Sequence, residues 1–150
     1  MQDLIDLLDR HKVRFLLVGG YAVNLHGYTR ATQDIDFLIQ PDQVNAQRLA
    51  AALTDFGFGK AGLPLADFAH EGIAVHLGVE PNRIDLVTSI SGISSVEAFE
   101  NSDYVDLDGR RVPVIGLAAL VKSKSMSERK KDQADAEELR AILEKRTSRA

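Results

Sequence analysis

The 150-residue sequence contains no cysteine and no tryptophan. Without cysteine the chain has no disulfide, no thiolate metal ligand and no cysteine nucleophile. The sequences Gly-x-Ser-x-Gly and GxxxxGK[ST] are also absent, which argues against acyl transfer and against a P-loop ATPase. The histidines lack metal-ligand spacing, so we interpret His11, His26, His70 and His76 as core or surface residues.

Long apolar runs and an excess of positive charge are absent too. No run approaches the roughly 20 apolar residues that a helix needs to cross a bilayer. The opening MQDLIDLLDR lacks the basic start and the apolar centre of a secretory signal. The net charge of −4 argues against coating of duplex DNA by bulk electrostatics. We therefore expect a cytoplasmic protein that binds neither membranes nor duplex DNA.

The composition that remains is that of a globular protein. Hydrophobic residues make up 45% of the chain and charged residues 27%, so intrinsic disorder is not expected. The length suits one hydrophobic core, and no repeat, low-complexity tract or linker interrupts the sequence. We therefore predict a single domain over residues 1–150.

The most informative stretch lies between residues 15 and 39. The apolar run FLLV stops at a glycine pair (19–20), a segment of helical character follows, and a polar link leads to the sequence DIDF at 34–37. This order predicts a strand, a glycine turn, a helix and a second strand. Because side chains alternate along a strand, Asp34 and Asp36 point to one face and their apolar neighbours to the other.

Two carboxylates on one face of an otherwise apolar strand are costly unless a cation lies between them. Mg²⁺ prefers oxygen ligands and is usually held by one or two carboxylates and the phosphates of a substrate. At Gly19 and Gly20, backbone N–H groups can approach a phosphate. With Asp34 and Asp36 they predict nucleotidyl or phosphoryl transfer. The alternatives are exposed acids on an edge strand and glycines that only shape a turn.

The motif of Val18-Gly19-Gly20, followed after a spacer by Asp34-Ile35-Asp36-Phe37, resembles the signature of the polymerase-β-like nucleotidyltransferase superfamily. By motif the resemblance extends over residues 13–87. Within the superfamily the chain is most similar to small bacterial stand-alone nucleotidyltransferases, including those of toxin–antitoxin pairs. The resemblance implies the mixed β-sheet of the nucleotidyltransferase fold, flanked by helices.

The superfamily uses a third carboxylate on a later strand, and Asp85 in the sequence RIDLV at 83–87 matches it. The resemblance implies that Asp34, Asp36 and Asp85 are catalytic and hold two Mg²⁺ ions, with an NTP as substrate. Asp34 and Asp36 would bridge both ions, and Asp85 would hold the ion that activates the acceptor hydroxyl. The alternative for Asp85 is a surface aspartate on a hairpin strand.

Two cationic side chains are candidates for nucleotide binding, together with the glycine pair. Arg30 lies in the link before DIDF, and its planar guanidinium matches phosphate oxygens; the alternative is a solvated loop arginine. Lys122 belongs to the one concentrated positive region, at 122–131. We predict that Lys122 and Lys124 point back toward the triphosphate or an anionic acceptor, with Lys122 as the candidate for nucleotide binding. The alternative is a solvated helix face.

The rest of the chain predicts a mixed α/β (α+β) unit with helices on the sheet. Helices are expected at the start, after Pro41-Asp42 and around residues 96–100, and a C-terminal helical pair over about 116–146. Residues 58–72 are weakly patterned and predict a loop.

Two hairpins are also expected. One joins strands at 73–77 and 83–87, and the other turns at Asp108-Gly109, the strongest hairpin signal in the chain. Because proline cannot donate a backbone hydrogen bond, Pro113 predicts that its strand lies at an edge of the sheet.

These features together predict a Mg²⁺-dependent nucleotidyltransferase that moves a nucleoside monophosphate from an NTP to a hydroxyl group. The chain offers only its last two helices for recognition of a second substrate. We therefore expect a macromolecular acceptor, tRNA or protein, or a partner such as a cognate toxin or antitoxin. One alternative is a non-catalytic nucleotidyltransferase-like domain that binds nucleotide or a partner protein. Another is a generic α/β domain whose acids have this spacing by chance.

Overall fold

Six strands form one mixed β-sheet in the computed structural model, which describes residues 2–32, 34–59, 62–79 and 82–149. The strands are β1 (Phe15–Val18), β2 (Ile35–Ile39), β3 (Ala74–Leu77), β4 (Ile84–Val87), β5 (Ser102–Leu107) and β6 (Arg110–Ile115). Their order across the sheet is β3-β4-β2-β1-β6-β5.

The sheet contains parallel and antiparallel neighbours. β1 pairs with β2 antiparallel and with β6 parallel, and β2 pairs with β4 parallel. The outer strands β3 and β5 pair antiparallel with β4 and β6. The predicted mixed sheet and both predicted hairpins are thereby confirmed.

Helices flank this sheet. Within the described residues the α-helices are α1 (Gln2–Arg10), α2 (Gly19–Leu25), α3 (Gln43–Leu53), α4 (Ser95–Glu100), α5 (Leu117–Ser125) and α6 (Lys130–Ser148). Asp42 and Ser94 cap α3 and α4, because each side chain accepts a hydrogen bond from the backbone N–H three residues later. α5 packs against α6, which confirms the C-terminal helical pair. None of the described helices is long and apolar enough to cross a membrane.

The core lies around the two central strands. All four side chains of β1 are buried, and in β2 only Asp36 is not fully buried. Phe15 and Phe37 meet edge to face, with ring centroids 5.5 Å apart. Each such side chain stabilises the fold by about 1.5–3 kcal/mol when it leaves water. The buried neighbours of Asp36 on β2 therefore fix its position opposite Val18, the last residue of β1, beside the glycine pair.

Three predictions differ from the structure. Pro113 lies in β6, which is an interior strand between β1 and β5, so the predicted edge position is wrong. The parallel contact of β6 with β1 is centred on Val114 opposite Leu17, beside the proline rather than at it. Within the predicted loop at 58–72, residues 65–69 form a 3₁₀ turn, while a π-helical turn at 54–58 follows α3 and overlaps the loop only at Phe58. Asp34 precedes β2 by one residue instead of lying on the strand.

Candidate active site

The structure brings the three predicted carboxylates together at one end of the sheet. β2 and β4 run parallel, and Asp36 lies directly opposite Asp85 in their register. Asp34 lies just before β2, and all three side chains line the same cleft of about 520 Å³. Residues that are separated by about fifty positions in the chain thus meet because β4 pairs with β2.

The glycine pair lies directly against this cluster of carboxylates. Gly19 has φ +68°, and a Cβ built on it would collide with the carboxylate of Asp36. A Cβ on Gly20 would lie 2.5 Å from the hydroxyl oxygen of Thr32. Glycine is therefore required here for backbone conformation and for close approach, because any other residue would displace Asp36 or the link before β2.

Arg83 bridges two of the acids. Its Nη2 lies 3.1 Å from Asp34 Oδ2, and its Nε donates to Asp85 Oδ1 at 2.9 Å. The other oxygen of Asp34, Oδ1, is buried and has no hydrogen-bond partner among the described residues. A buried carboxylate oxygen without a donor is costly, so this atom is suited to a ligand that supplies positive charge.

Asp85 also accepts a hydrogen bond from His76 on β3, with Nδ1 and Oδ1 2.6 Å apart. Burial alone would raise the pKa of Asp85, but the hydrogen bonds of His76, Arg83 and Asp36 lower it below its ordinary value. Asp85 is therefore ionised at neutral pH. The sequence, which indicates a core or surface role for His76, does not predict this hydrogen bond with Asp85.

Asp36 behaves in the opposite way. Burial, together with the hydrogen bond and the charge of Asp85 and the charge of Asp34, raises the pKa of Asp36 to about 7, although Lys124 partly offsets this. The pKa values of these two neighbouring carboxyl groups are thus shifted in opposite directions, as expected for acids that face each other and share a hydrogen bond.

The donor set of this cluster suits a hard divalent cation. Three carboxylates converge, and one of their oxygens is buried without a partner. Oxygen donors of this kind are those that Mg²⁺ prefers. Within the described ranges, however, no group of three or more His, Cys, Asp or Glu side chains stands in metal-holding geometry, and Arg83 lies among these acids instead. The donor chemistry fits Mg²⁺, and a bound ion would compete with Arg83 for the same oxygens.

The predicted cationic residues differ in position. Arg30 lines the cleft, and its guanidinium is held by Asp135. Lys122 is not among the described residues that line the cleft, and its Nζ lies 2.9 Å from Glu97. Lys124, which belongs to the same prediction, lines the cleft. Lys122 points to a different side of α5, because two residues along an α-helix turn a side chain by roughly 200°.

Comparison with known proteins identifies the family of the chain. A family model described as aminoglycoside-2″-adenylyltransferase matches residues 1–139. The chain belongs to this family. No curated protein sequence matches the chain significantly.

Solved structures share the fold of this aminoglycoside-2″-adenylyltransferase family member. TM1012 of Thermotoga maritima, assigned as a nucleotidyltransferase, has a TM-score of 0.59 at 15% identity, covering 96% of this chain and 90% of its own. The lincosamide antibiotic adenylyltransferase LnuA has a TM-score of 0.53 at 16% identity, covering 94% and 96%. The antibiotic-resistance factor ANT(2″)-Ia has a TM-score of 0.53 at 15% identity, covering 98% and 90%.

At these identities the structural likeness shows the fold, and the family model shows the family. Together they confirm the resemblance to small nucleotidyltransferases and the nucleotidyltransferase fold predicted from the sequence. Membership in the family supports nucleotidyl transfer as the general kind of reaction, with an NTP as substrate.

Proposed function

We propose that this protein is a Mg²⁺-dependent nucleotidyltransferase that moves a nucleoside monophosphate from an NTP to an acceptor hydroxyl and releases pyrophosphate. The observation that carries the proposal is the meeting of Asp34, Asp36 and Asp85 in one cleft, beside the Gly19–Gly20 turn. The family description favours ATP as the nucleotide donor.

Asp34, Asp36 and Asp85 are the residues that would hold Mg²⁺, in the two-ion arrangement that the resemblance to the superfamily implies. When bound, the ions neutralise charge on the triphosphate and stabilise the attacking and leaving oxygens. The protein supplies binding and orientation. The buried Oδ1 of Asp34 and the facing positions of Asp36 and Asp85 support this assignment.

The remaining chemistry is carried by the residues of the cleft. The acceptor hydroxyl oxygen forms a bond to the α-phosphorus, and the bond from that phosphorus to the oxygen of the β-phosphate breaks, so pyrophosphate leaves. Asp85, ionised at neutral pH, accepts the proton of the hydroxyl. Gly19 and Gly20 let the backbone approach the phosphates. Arg30 and Lys124 on the cleft wall neutralise their charge.

The acceptor that the family description favours is a small molecule rich in hydroxyl groups, such as an aminoglycoside. The cleft volume of about 520 Å³ is in the range of small-molecule sites. The sequence alone led us to expect tRNA or protein, with a toxin or antitoxin partner. The acceptor screen therefore includes aminoglycosides, lincosamides, total tRNA and a cell lysate, each with labelled ATP, CTP, GTP or UTP.

The proposal is tested with Asp36→Asn. In the presence of Mg²⁺ and the acceptor found in the screen, we expect nucleotide transfer to fall by about 100-fold or more, because a carboxylate at the reacting centre is lost. Asp103→Asn is the matched control, since Asp103 is an exposed acid on β5. Transfer at the wild-type rate by Asp36→Asn would show that the assignment is wrong.

A non-catalytic nucleotidyltransferase-like domain is the second candidate, and the contact of Arg83 with Asp34 and Asp85 favours it, because an arginine already neutralises these acids. The two candidates differ in turnover. A catalytic protein releases pyrophosphate from at least one NTP when an acceptor is present. A binding domain is thermally stabilised by Mg²⁺ and NTP and releases none.

A further inference from the structure

A network of largely buried ion pairs joins the C-terminal helices to the wall of the cleft. Asp135 of α6 accepts two hydrogen bonds from Arg30, from Nε at 2.9 Å and from Nη2 at 2.8 Å. The same carboxylate lies 3.1 Å from the Nζ of Lys124 on α5. Lys124 also donates to Asp132 at 2.8 Å. One carboxylate therefore holds two cations that come from different parts of the chain.

The burial of these groups shows that the network is more than a surface feature. The side chain of Asp135 is 2% exposed, that of Lys124 13% and that of Arg30 15%. Buried charges need partners in good geometry. Without Asp135, Arg30 loses its carboxylate partner while Lys124 keeps Asp132, and the two positive charges repel each other in a partly dry environment.

The two cations lie on the wall of the cleft that is proposed to bind the nucleotide. Arg30 and Lys124 both line the cleft, whereas Asp135 is not among the described residues that line it. A Cβ on Gly20 would lie 3.4 Å from Nη1 of Arg30, so the guanidinium reaches the glycine turn. Lys124 is near enough to Asp36 for its charge to act on that carboxyl group. The pair thus borders both the turn and the acids.

We propose that Asp135 is a positioning residue that holds Arg30 and Lys124 side by side as a preformed cationic pair for the triphosphate of the nucleotide. The inference rests on the proposed function, since it concerns the same cleft. Asp135 acts through the two cations and touches no substrate. Pre-organised cations bind phosphate more tightly than mobile ones, because their side chains lose less freedom on binding.

The test is the binding of MgATP to purified protein, measured by isothermal titration calorimetry, which gives both Kd and the number of sites. For Asp135→Asn we expect a Kd about tenfold higher or more, with close to one site per chain. Magnesium pyrophosphate lacks the base and the sugar, and its Kd should rise in parallel. A merely structural role would lower the number of active sites and leave Kd unchanged.

Asp6→Asn is the matched control. Asp6 accepts two hydrogen bonds from Arg110, at 2.6 and 2.8 Å, and this pair also joins distant parts of the chain. Neither residue is among those described as lining the cleft. We expect Kd for MgATP to stay within about twofold of wild type. An equal Kd for Asp135→Asn and Asp6→Asn would overturn the inference.

If Asp135→Asn does not fold, Asp135→Glu tests the positioning role. Glutamate keeps the negative charge that compensates Arg30 and Lys124, but its added methylene displaces the carboxylate that holds these two side chains. A folded Asp135→Glu with a raised Kd for MgATP supports the inference, and one with the wild-type Kd overturns it. Failure of wild-type protein to bind the magnesium complexes of ATP, CTP, GTP and UTP alike would instead contradict the proposed function itself.

Discussion

At the scale of single residues, the backbone conformation of Gly19 determines whether the carboxylate of Asp36 can keep its position in the cleft. Gly19 has φ +68°, and a Cβ there would overlap the carboxylate of Asp36. In Gly19→Ala the positive φ costs about 1–2 kcal/mol, and overpacking adds about 1–3 kcal/mol. We expect a lower free energy of unfolding in urea and a loss of nucleotide transfer, because Asp36 must move.

The control for this prediction is Gly109→Ala. Gly109 has φ +83°, but a Cβ there would meet no atom within 4 Å. This variant should lose about 1–2 kcal/mol of stability through backbone strain alone and keep its transfer rate. If Gly19→Ala is as active as Gly109→Ala, the close approach of Gly19 to Asp36 has no role in catalysis.

Residue-level signals that are local could be read from the sequence, whereas those that depend on strand pairing could not. The spacing of Asp34 and Asp36 is visible in the sequence, although Asp34 lies one residue before β2, and Asp85 followed from the resemblance. His76 and Arg83 were missed as neighbours of Asp85. Arg83 is two residues before Asp85, so strand alternation alone places both on one face. His76 required the hairpin register, which sets it opposite Asp85.

At the scale of elements, α5 separates two lysines that the sequence places close together. Leu120, Ser123 and Lys124 line the cleft at helical spacing, while Lys122 pairs with Glu97. We expect Lys124→Gln to raise the Kd for MgATP about tenfold, since a charge near the phosphates is lost. It should also lower the melting temperature, because Asp132 loses its ammonium partner.

Lys122→Gln is the matched variant on the other side of the same helix. Its pair with Glu97 is half-exposed and contributes about 0–1 kcal/mol. Calorimetry should give a Kd for MgATP within about twofold of wild type. A weakening by Lys122→Gln as large as that by Lys124→Gln would restore the orientation predicted from the sequence.

Some boundaries of elements were predictable because caps and tight turns are local. Asp42 caps a helix and the Asp108-Gly109 turn joins two strands of a hairpin in the structure, where the sequence placed them. The order of strands was not predictable, because it is decided by pairing across the sheet. Pro113 is an example. Proline favours an edge strand, but β6, which contains Pro113, lies between β1 and β5.

At the scale of the whole molecule, the pKa of Asp36 links stability to pH. This pKa is about 7 in the folded protein against 3.8 ordinarily, so between these values the folded chain binds a proton that the unfolded chain has released. Stability therefore falls as pH rises from about 4 to 7 and is level above. Burial and the charge of Asp6 also raise the pKa of Asp9, which acts with the same sign above pH 4, whereas the lowered pKa values of Asp85 and Asp132 act below pH 4.

We therefore expect the melting temperature of metal-free protein to fall by several degrees, on the order of 2–4 °C per kcal/mol, between pH 5 and pH 7. Mg²⁺ binds ionised carboxylates, so it should raise the melting temperature at pH 7.5 and much less at pH 5. Differential scanning calorimetry of wild type and Asp36→Asn measures both effects. The Asp36→Asn variant should lose the part of the pH dependence of the melting temperature that Asp36 contributes. It should also lose the rise in melting temperature on addition of Mg²⁺. If the variant keeps the full Mg²⁺ response, the ion binds elsewhere, and the carboxylate cluster at the glycine turn is not its site.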